Sequence, residues 1–167
     1  DISDQSLVRQ TIERNYVDAV IHFAGSVVVP DSVRDPLEYY ENNTCRSRDL
    51  IDAVVKSDVK NFIFSSTAAV YGDGGMMPVT EDFATNPQSP YGMSKLMTER
   101  MLSDTAAAYN FHYTALRYFN VAGADANGRT GQSTRGATHL IKVACETALG
   151  KRRYMEIFGN NYPTPDG

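Results

Sequence analysis

The stretch VKNFIFSS, residues Val59–Ser66, decides the fold class of this 167-residue chain. Its β-branched and aromatic residues form a short apolar run, which is typical of a buried strand. Two other runs have the same character, VDAVIHF at Val17–Phe23 and YTALRYFNV at Tyr113–Val121. Longer segments with helical spacing separate the three runs. The pattern therefore predicts an α/β fold with a parallel sheet covered by helices.

Two long helices are predicted between these strands. The first spans Pro36–Ser57, and its apolar residues recur on one helical face, although the weak helix formers Asn42–Thr44 interrupt it. The second begins near Pro90, which is favoured in a first helical turn, and runs to Tyr109. Between the second strand and this helix, the residues from Tyr71 to Ser89 are rich in Gly, Pro, Asp and Asn and predict a loop.

After Asn120 the pattern changes to a polar, Gly-rich stretch, followed by a predicted helix in 137–150 and a predicted strand at Tyr154–Phe158. We therefore expect one domain over residues 1–121 and the start of a smaller lobe over 122–167. No G-x-G-x-x-G or P-loop motif occurs in the sequence. The chain by itself thus shows no Gly-rich cradle for a pyrophosphate.

Composition excludes several classes of function. The chain is 42% hydrophobic and 22% charged, as an ordinary globular domain is, and its formal charge of −4 argues against a nucleic-acid partner. Cys45 and Cys145 have no partners at metal-ligand spacing, which favours free thiols, a reducing compartment and no metal site. The sequence shows neither a signal peptide nor an apolar span that could cross a membrane. We expect a cytoplasmic protein.

The stretch SPYGMSK, residues Ser89–Lys95, contains a candidate catalytic pair. Tyr91 and Lys95 are four residues apart, so they share one face of the second helix. An ammonium close to the phenol, together with a second nearby positive charge, would lower the pKa of the tyrosine and make it a usable base. An inert pair on a helix surface is the alternative for an isolated Tyr-x-x-x-Lys motif.

Polar residues at two strand ends add to this pair. The stretch FSSTAAVYG, residues Phe64–Gly72, leaves the second strand through three consecutive hydroxyl residues, and Thr67 is the last of them. The third strand ends in RYFN, which places Phe119 and Asn120 at the same edge of the sheet. Ordinary turn residues would look similar in isolation. Ligands of open α/β sheets, however, bind beyond the carboxyl ends of the strands, where these side chains converge.

Six stretches in this order and spacing resemble the extended short-chain dehydrogenase/reductase family, and most closely its UDP-sugar 4-epimerases: HFAG, YYENN, FSSTAAVYG, SPYGMSK, LRYFNVAGA and IFGNNYPTPDG. The resemblance runs along essentially the whole chain. It implies part of a doubly wound, Rossmann-type sheet, a bound NAD, a UDP-sugar substrate and a homodimer formed through the helices at 35–57 and 91–109. Family members carry a Gly-rich βαβ unit ahead of the first residue here. We therefore expect this chain to lack that unit and to continue past Gly167.

The resemblance also implies roles for individual residues. Tyr91 matches the catalytic base, Lys95 the lysine that holds the nicotinamide ribose, and Thr67 the hydroxyl residue that bonds the 4-hydroxyl of the sugar. His139 stands where an asparagine commonly binds the UDP moiety, and Val27 replaces a lysine of some members. Beside Tyr91 and Lys95, the implied cofactor-binding residues are Asp1, Ile2, Phe23, Ala24, Gly25, Asn43 and Phe119. Beside Thr67 and Tyr91, the implied substrate-binding residues are Asn120, His139, Glu156, Ile157 and Phe158.

The implied reaction interconverts UDP-glucose and UDP-galactose through a 4-keto intermediate, with a hydride lent to NAD and returned. A related nucleotide-sugar 4,6-dehydratase needs acidic residues directly after the strand-end threonine. Ala68 and Ala69 occupy those positions and cannot supply a proton, which argues against dehydration. A UDP-uronate 4-epimerase remains an alternative. So does a non-catalytic fragment that retains only binding or dimerisation surfaces.

Overall fold

A computed structural model describes residues 1–73, 78–134 and 136–162. Parts of the predicted Tyr71–Ser89 loop and of the C-terminal stretch, residues 74–77 and 163–167, lie outside the described residues. The chain divides into two compact units, Asp1–Phe119 and Asn120–Gly167. No helix in the described ranges is both long enough and apolar enough to cross a membrane.

The first unit is built on a parallel sheet. Among the described residues it contains three strands in the order β1 (Ala19–His22), β2 (Asn61–Ser65) and β3 (His112–Leu116). Ile21 pairs with Ile63 in β2, and Phe64 of β2 pairs with Ala115 in β3. The predicted parallel α/β architecture is confirmed.

The strands are shorter than the sequence predicts, because the backbone leaves the sheet at their carboxyl ends. The Ser66 N–H donates to the Phe64 carbonyl at 3.0 Å, which closes a tight turn directly after β2. The Ala68 N–H then donates to the Tyr118 carbonyl at 3.0 Å, beyond the end of β3. The prediction that the third strand reaches Val121 is therefore wrong, since Leu116 is its last residue.

Helices of the first unit are α1 (Gln5–Asn15), α2 (Val29–Arg34), α3 (Pro36–Tyr40), α4 (Arg46–Lys56) and α5 (Pro90–Ala108). The helix predicted over Pro36–Ser57 is divided by a π-helical turn at Glu41–Cys45, whereas the helix predicted from Pro90 is confirmed. A short 3₁₀ turn, Ala68–Tyr71, follows β2. The sequence reasoning did not anticipate α1 or α2.

Caps fix where two of these helices begin. The Asp4 carboxylate accepts from the Leu7 N–H at 2.9 Å and caps α1, while the Ser89 hydroxyl accepts from the Gly92 N–H at 3.2 Å and caps α5. Pro90 occupies the first position of α5, where the missing N–H costs no intrahelical hydrogen bond. The start of α5, and with it the position of Tyr91, is thus set locally.

The core lies between one face of the sheet and helices α1, α4 and α5. Phe62 and Phe64 point from β2 into this layer and are almost completely buried. Their side chains pack with a continuous apolar cluster, whose other buried members are Ile12, Leu50, Ile51, Val54, Val59, Leu102 and Phe111. Burial of this apolar surface is the main driving force that holds α5 against β2.

The second unit contains α6 (Leu140–Ala148), which confirms the helix predicted in this region. Ala124 and Gly131 form an isolated antiparallel bridge ahead of it. The strand predicted at Tyr154–Phe158 is wrong, because these residues form no strand and Phe158 is 86% exposed. A strand needs a neighbour that accepts its backbone hydrogen bonds, and the described residues of this unit provide none beside it.

Truncation of Leu102 tests the packing of α5. Leu102 is completely buried, so Leu102→Ala leaves a cavity in the core and should lower the free energy of unfolding by about 2–5 kcal/mol. The matched control is Leu7→Ala on α1, where the side chain is 52% exposed and the expected loss is much smaller. Urea denaturation of both variants measures the difference. Equal losses would contradict the assignment of Leu102 to the core.

Candidate functional site

Three consecutive residues at the end of β2 face three successive turns of α5. The Lys95 ammonium donates to the Ser65 carbonyl oxygen at 3.1 Å, and the Ser66 hydroxyl donates to a carboxylate one turn further along α5. Thr67 lies close enough to the Tyr91 phenol to influence its pKa. The structure therefore brings Tyr91, Lys95 and Thr67 together at the carboxyl end of the central strand, as the spacing predicted.

Lys95 is buried, with 3% of its surface exposed. Its ammonium lies 5.0 Å from the centre of the Phe64 ring, a cation–π contact, in addition to its bond with Ser65. Burial disfavours the charged form and lowers the pKa of Lys95 to about 8. Burial therefore makes the ammonium form of this lysine costly, and the Ser65 carbonyl and the Phe64 ring offset part of that cost.

The environment of Tyr91 differs from the prediction. Burial raises the pKa of the Tyr91 phenol; Thr67 opposes that rise, whereas Tyr118 at the end of β3 adds to it. The expected lowering by Lys95 is absent, because the ammonium is directed at the Ser65 carbonyl. The protein's own groups therefore keep this phenol neutral, and an additional positive charge is needed to ionise it near neutral pH.

Thr67 is held in place by the turn that follows it. Its backbone is extended, with φ −155° and ψ 148°, and its hydroxyl accepts from the Ala69 N–H at 3.2 Å, which caps the 3₁₀ turn. Only 7% of its surface is exposed. The hydroxyl is consequently fixed near Tyr91 at the strand end, where it can bond a substrate oxygen.

The π-helical turn positions Asn43, which explains why weak helix formers occur inside a helical segment. The buried Asn43 amide accepts from the Ser26 N–H at 2.7 Å and donates to the Ser26 carbonyl at 2.9 Å. The same amide nitrogen donates to the Ser94 hydroxyl on α5 at 3.1 Å. Asn43 therefore ties the turn after β1 to the helix that carries Tyr91 and Lys95.

Gly25 lies in that turn after β1, beside the exposed residues Phe23 and Ala24. Its φ of +153° is a conformation that residues with side chains rarely adopt. A Cβ at this position would lie 3.0 Å from the Asn43 amide oxygen and 3.4 Å from the Lys95 ammonium nitrogen. The backbone thus forms an exposed shelf next to the buried lysine, which a side chain would obstruct.

Sequence reasoning missed a buried histidine behind this shelf. The Ser47 hydroxyl donates to the Asn43 carbonyl at 2.5 Å and lies 2.7 Å from the His22 Nε2, so the Nε2–H donates to Ser47. Burial, together with the charge of Lys95, lowers the pKa of His22 to about 4. His22 is therefore neutral at physiological pH and supports the turn as a hydrogen-bond donor.

One signal in the sequence could have revealed this polar interior. Ser94 and Thr98 lie on the same face of α5 as Lys95, and all three are buried. The Thr98 hydroxyl donates to the Asn43 carbonyl at 3.2 Å, alongside its intrahelical bond to the Ser94 carbonyl. Small polar residues on a core-facing stripe indicate a hydrogen-bonded interior, because such groups are costly to bury unless they are paired.

The other predicted site residues lie at the two chain ends of the first unit or in the second unit. Asp1 is exposed at the start of the first unit and bonds Ser3, while Ile2 packs against the core. Phe119 is 84% exposed at the end of that unit. The remaining predicted substrate-binding residues belong to the second unit: Asn120, His139, Glu156, Ile157 and Phe158.

The second unit has an open cleft of about 480 Å³. His139 lies at the start of α6, and its Nδ1 accepts from the Gln132 amide at 2.5 Å. This bond leaves a proton on Nε2, which becomes a hydrogen-bond donor. The cleft is lined by the residues at 121–125 and 130–132 together with His139.

Comparison with known proteins identifies the family. Residues 1–163 match the model of the NAD dependent epimerase/dehydratase family. The chain belongs to this family. The resemblance to extended short-chain dehydrogenases/reductases is thereby confirmed, and with it the Rossmann-type fold class.

Members of the family with curated names or solved structures match the whole chain. It is 54% identical over 167 residues to a UDP-glucose 4-epimerase of Azospirillum brasilense, and the match covers all of this chain and 48% of that protein. Two crystal structures of UDP-glucose 4-epimerases, each half covered by this chain, are also similar. The Brucella ovis enzyme, solved with NAD, has a TM-score of 0.93 and 46% sequence identity, and the match covers 100% of this chain. The Bifidobacterium longum enzyme, solved with NAD⁺ and UDP, has a TM-score of 0.90 and 38% sequence identity, and the match covers 99% of this chain. The chain spans about half the length of the relatives it matches.

Replacement of Lys95 by methionine tests the energetic cost of the buried ammonium. The folded-state pKa of about 8 lies below the ordinary 10.5, so the unfolded chain binds more protons between these values and the lysine's contribution to stability rises with pH. The free energy of unfolding of Lys95→Met should therefore exceed that of the unsubstituted protein by up to about 3 kcal/mol near pH 7, reduced by the loss of the hydrogen bond to Ser65. This difference should shrink toward about pH 10. Urea denaturation across that range measures it.

The matched control is Lys56→Met, since Lys56 lies on the surface of α4 and pairs with Asp52. A pH dependence common to both variants would reflect general alkaline effects. In that case the assignment of a lowered pKa to Lys95 would be wrong.

Proposed function

We propose that the protein to which this chain belongs is an NAD-dependent UDP-glucose 4-epimerase that interconverts UDP-glucose and UDP-galactose through a 4-keto sugar. The observation that carries the proposal is the convergence of Tyr91, Thr67 and Lys95 at the carboxyl end of β2. The similarity to UDP-glucose 4-epimerases along the whole chain supports the same substrate class.

NAD fits the residues beside this convergence. The exposed shelf at Phe23, Ala24 and Gly25 offers backbone without a side chain next to Lys95, and Asn43 holds that shelf in position. Lys95 would bond the ribose of the nicotinamide nucleotide, while Asp1 and Ile2 would border the adenine and Phe119 the nicotinamide. When bound, NAD supplies the hydride acceptor and donor that epimerisation requires.

The proton chemistry belongs to this chain's own residues. The phenolate oxygen of Tyr91 accepts the proton of the sugar 4-hydroxyl. The Thr67 hydroxyl bonds the oxygen of that 4-hydroxyl and orients it. Because burial raises the pKa of Tyr91 and the Lys95 ammonium is directed at Ser65, the phenolate needs additional positive charge beside it, which the oxidised nicotinamide ring would supply. The proton returns from Tyr91 after the 4-keto sugar has presented its other face. No net oxidation occurs.

The family is named for epimerases and dehydratases. Dehydration by this protein has less support than epimerisation. Elimination of water needs an acid or base beside the strand-end threonine. Ala68 and Ala69 follow Thr67 in the 3₁₀ turn, and Ala68 is buried. Neither methyl group can transfer a proton.

The remaining parts of the proposal concern the domains and partners. Residues 1–121 form the NAD-binding part and residues 122–167 the start of the lobe that binds the UDP-sugar, with contacts from Asn120, His139 and the Glu156–Phe158 segment. The Nε2–H of His139 would donate to the UDP moiety in place of the usual asparagine. The enzyme would be a cytoplasmic homodimer formed through α3, α4 and α5, and the exposed apolar residues Leu37 and Met97 on these helices support such a contact.

Replacement of the proposed base tests this function directly. Tyr91→Phe removes the phenolic oxygen that accepts the proton, and we expect kcat for UDP-galactose epimerisation to fall by about 10²–10⁴-fold with little change in fold. The measurement is a coupled assay of UDP-glucose formation by the full-length protein. Tyr16→Phe, at an 89% exposed tyrosine after α1, is the matched control and should keep its activity.

A full-length protein with normal activity after Tyr91→Phe would contradict the proposed mechanism. A full-length parent protein that leaves UDP-glucose and UDP-galactose unchanged would contradict the proposed substrate. Parallel assays with a UDP-uronate then show whether such a protein epimerises a different UDP-sugar or has no epimerase activity at all.

A further inference from the structure

A partly buried ion pair between Glu99 and Arg117 lies one helical turn beyond Lys95. Glu99 on α5 is 6% exposed, and Arg117 directly follows β3. The guanidinium binds both carboxylate oxygens, with Nε at 3.1 Å from each and Nη2 at 2.6 Å from Oε2. The Ser66 hydroxyl also donates to this carboxylate. The proposed reaction uses neither charge directly.

Arg117 is itself held on its other side. Its Nη1 donates to the Tyr71 hydroxyl at 2.8 Å and to the Glu81 carbonyl at 3.0 Å. The guanidinium carbon lies 4.9 Å from the centre of the Tyr71 ring. The pair therefore joins α5 and the end of β3 to the 3₁₀ turn after β2 and to the loop beyond it. These contacts leave Arg117 little freedom to reorient.

The contact between Ser66 and Glu99 is one of three side-chain contacts between α5 and the end of β2. Tyr91, Lys95 and Glu99 are spaced by four residues and lie on one face of the helix. Their respective neighbours are Thr67, Ser65 and Ser66, which are consecutive in the chain. A shift of Ser66 relative to Glu99 would therefore displace both residues that flank Ser66, and those residues contact the proposed base and its lysine.

We propose that Glu99 and Arg117 are positioning residues for the epimerase reaction, which fix the end of β2 so that Thr67 and the Ser65 carbonyl are aligned with Tyr91 and Lys95. The inference rests on the proposed function. Stability alone is a poor reason to bury the Glu99 carboxylate, because replacement of a buried ion pair by apolar residues is often neutral or stabilising. A shift of about 1 Å in a reacting group, by contrast, reduces turnover strongly.

The variant Glu99→Gln in the full-length protein tests this inference. The amide keeps the size of the carboxylate but presents donors to Arg117, which disrupts the bidentate pair. We expect kcat to fall at least about 10-fold while KM changes less than about 3-fold, since the alignment matters for proton transfer more than for binding. Arg117→Lys, which keeps the charge and loses the fork, should show a smaller loss.

A second readout reports on Tyr91 without any turnover. Two side chains influence the pKa of its phenol: Thr67 lowers it and Tyr118 raises it. Tyr91 in turn raises the pKa of Tyr39 on α3. Thr67 is the one that lowers the pKa, so its displacement should raise the titration midpoint of Tyr91 and shift the acid limb of the kcat profile to higher pH. NMR of protein labelled at the tyrosine Cζ measures this midpoint, and Tyr91→Phe identifies the resonance.

The matched control is Glu146→Gln, which disrupts the ion pair between Glu146 and Arg152 on a part-buried face near α6. It should leave both kcat and the Tyr91 resonance unchanged. Equal losses of kcat in the two variants, or a Tyr91 resonance that does not move in Glu99→Gln, would overturn the inference. Should Glu99→Gln fail to fold, Ser66→Ala removes the link from the strand while keeping the ion pair, and unchanged kcat and resonance in that variant would overturn it equally.

The two proposals fail in distinguishable ways. A parent protein without epimerase activity would refute the proposed function, and the Tyr91 resonance would still decide whether the ion pair positions the phenol. An active parent protein whose kcat and resonance are insensitive to Glu99→Gln would refute the positioning role alone.

Discussion

The hydrogen bond from the buried Lys95 ammonium to the Ser65 carbonyl joins α5 to the end of β2, and the arrangement of the whole site depends on it. An ammonium removed from water needs compensation, which the carbonyl oxygen and the face of the Phe64 ring provide. With Lys95 fixed in this way, Tyr91 one turn earlier on α5 is placed beside Thr67. Gly25 lies beside the same ammonium and has no side chain to crowd it.

Polar groups fill the interior around this contact, and each depends on the next. Asn43 bonds both backbone groups of Ser26 and the Ser94 hydroxyl, while its own carbonyl accepts from Ser47 and Thr98. Among the described residues, a single buried side-chain nitrogen or oxygen atom lacks a hydrogen-bond partner. It is the Ser57 hydroxyl oxygen, at the end of α4. A satisfied polar network of this kind specifies one arrangement, because a shift of any member leaves a buried group unpaired.

Burial acts in the same direction on the titratable groups of the site. It lowers the pKa of Lys95 and of His22 and raises that of Tyr91, so each is moved toward its uncharged form. Thr67 is the neighbour that favours the Tyr91 phenolate. The position of Thr67 therefore affects the pKa of Tyr91 as well as the fit of the substrate. For this reason the proposed anchoring of Ser66 by Glu99 and Arg117 would influence proton transfer.

The sequence by itself determined the parallel α/β architecture, the helix that begins at Pro90 and the shared helical face of Tyr91 and Lys95, because apolar runs, helix caps and four-residue spacing are local signals. The placement of Thr67 near them followed from the predicted parallel sheet, whose strand ends meet at one edge. Only the tertiary structure decided that Lys95 is directed at Ser65 and that β3 ends at Leu116, since both depend on contacts between distant segments. The π-helical turn at Asn43, the neutral His22 and the Glu99–Arg117 pair were equally beyond the sequence reasoning. Their partners lie 17 to 55 residues away along the chain, where no local pattern records them.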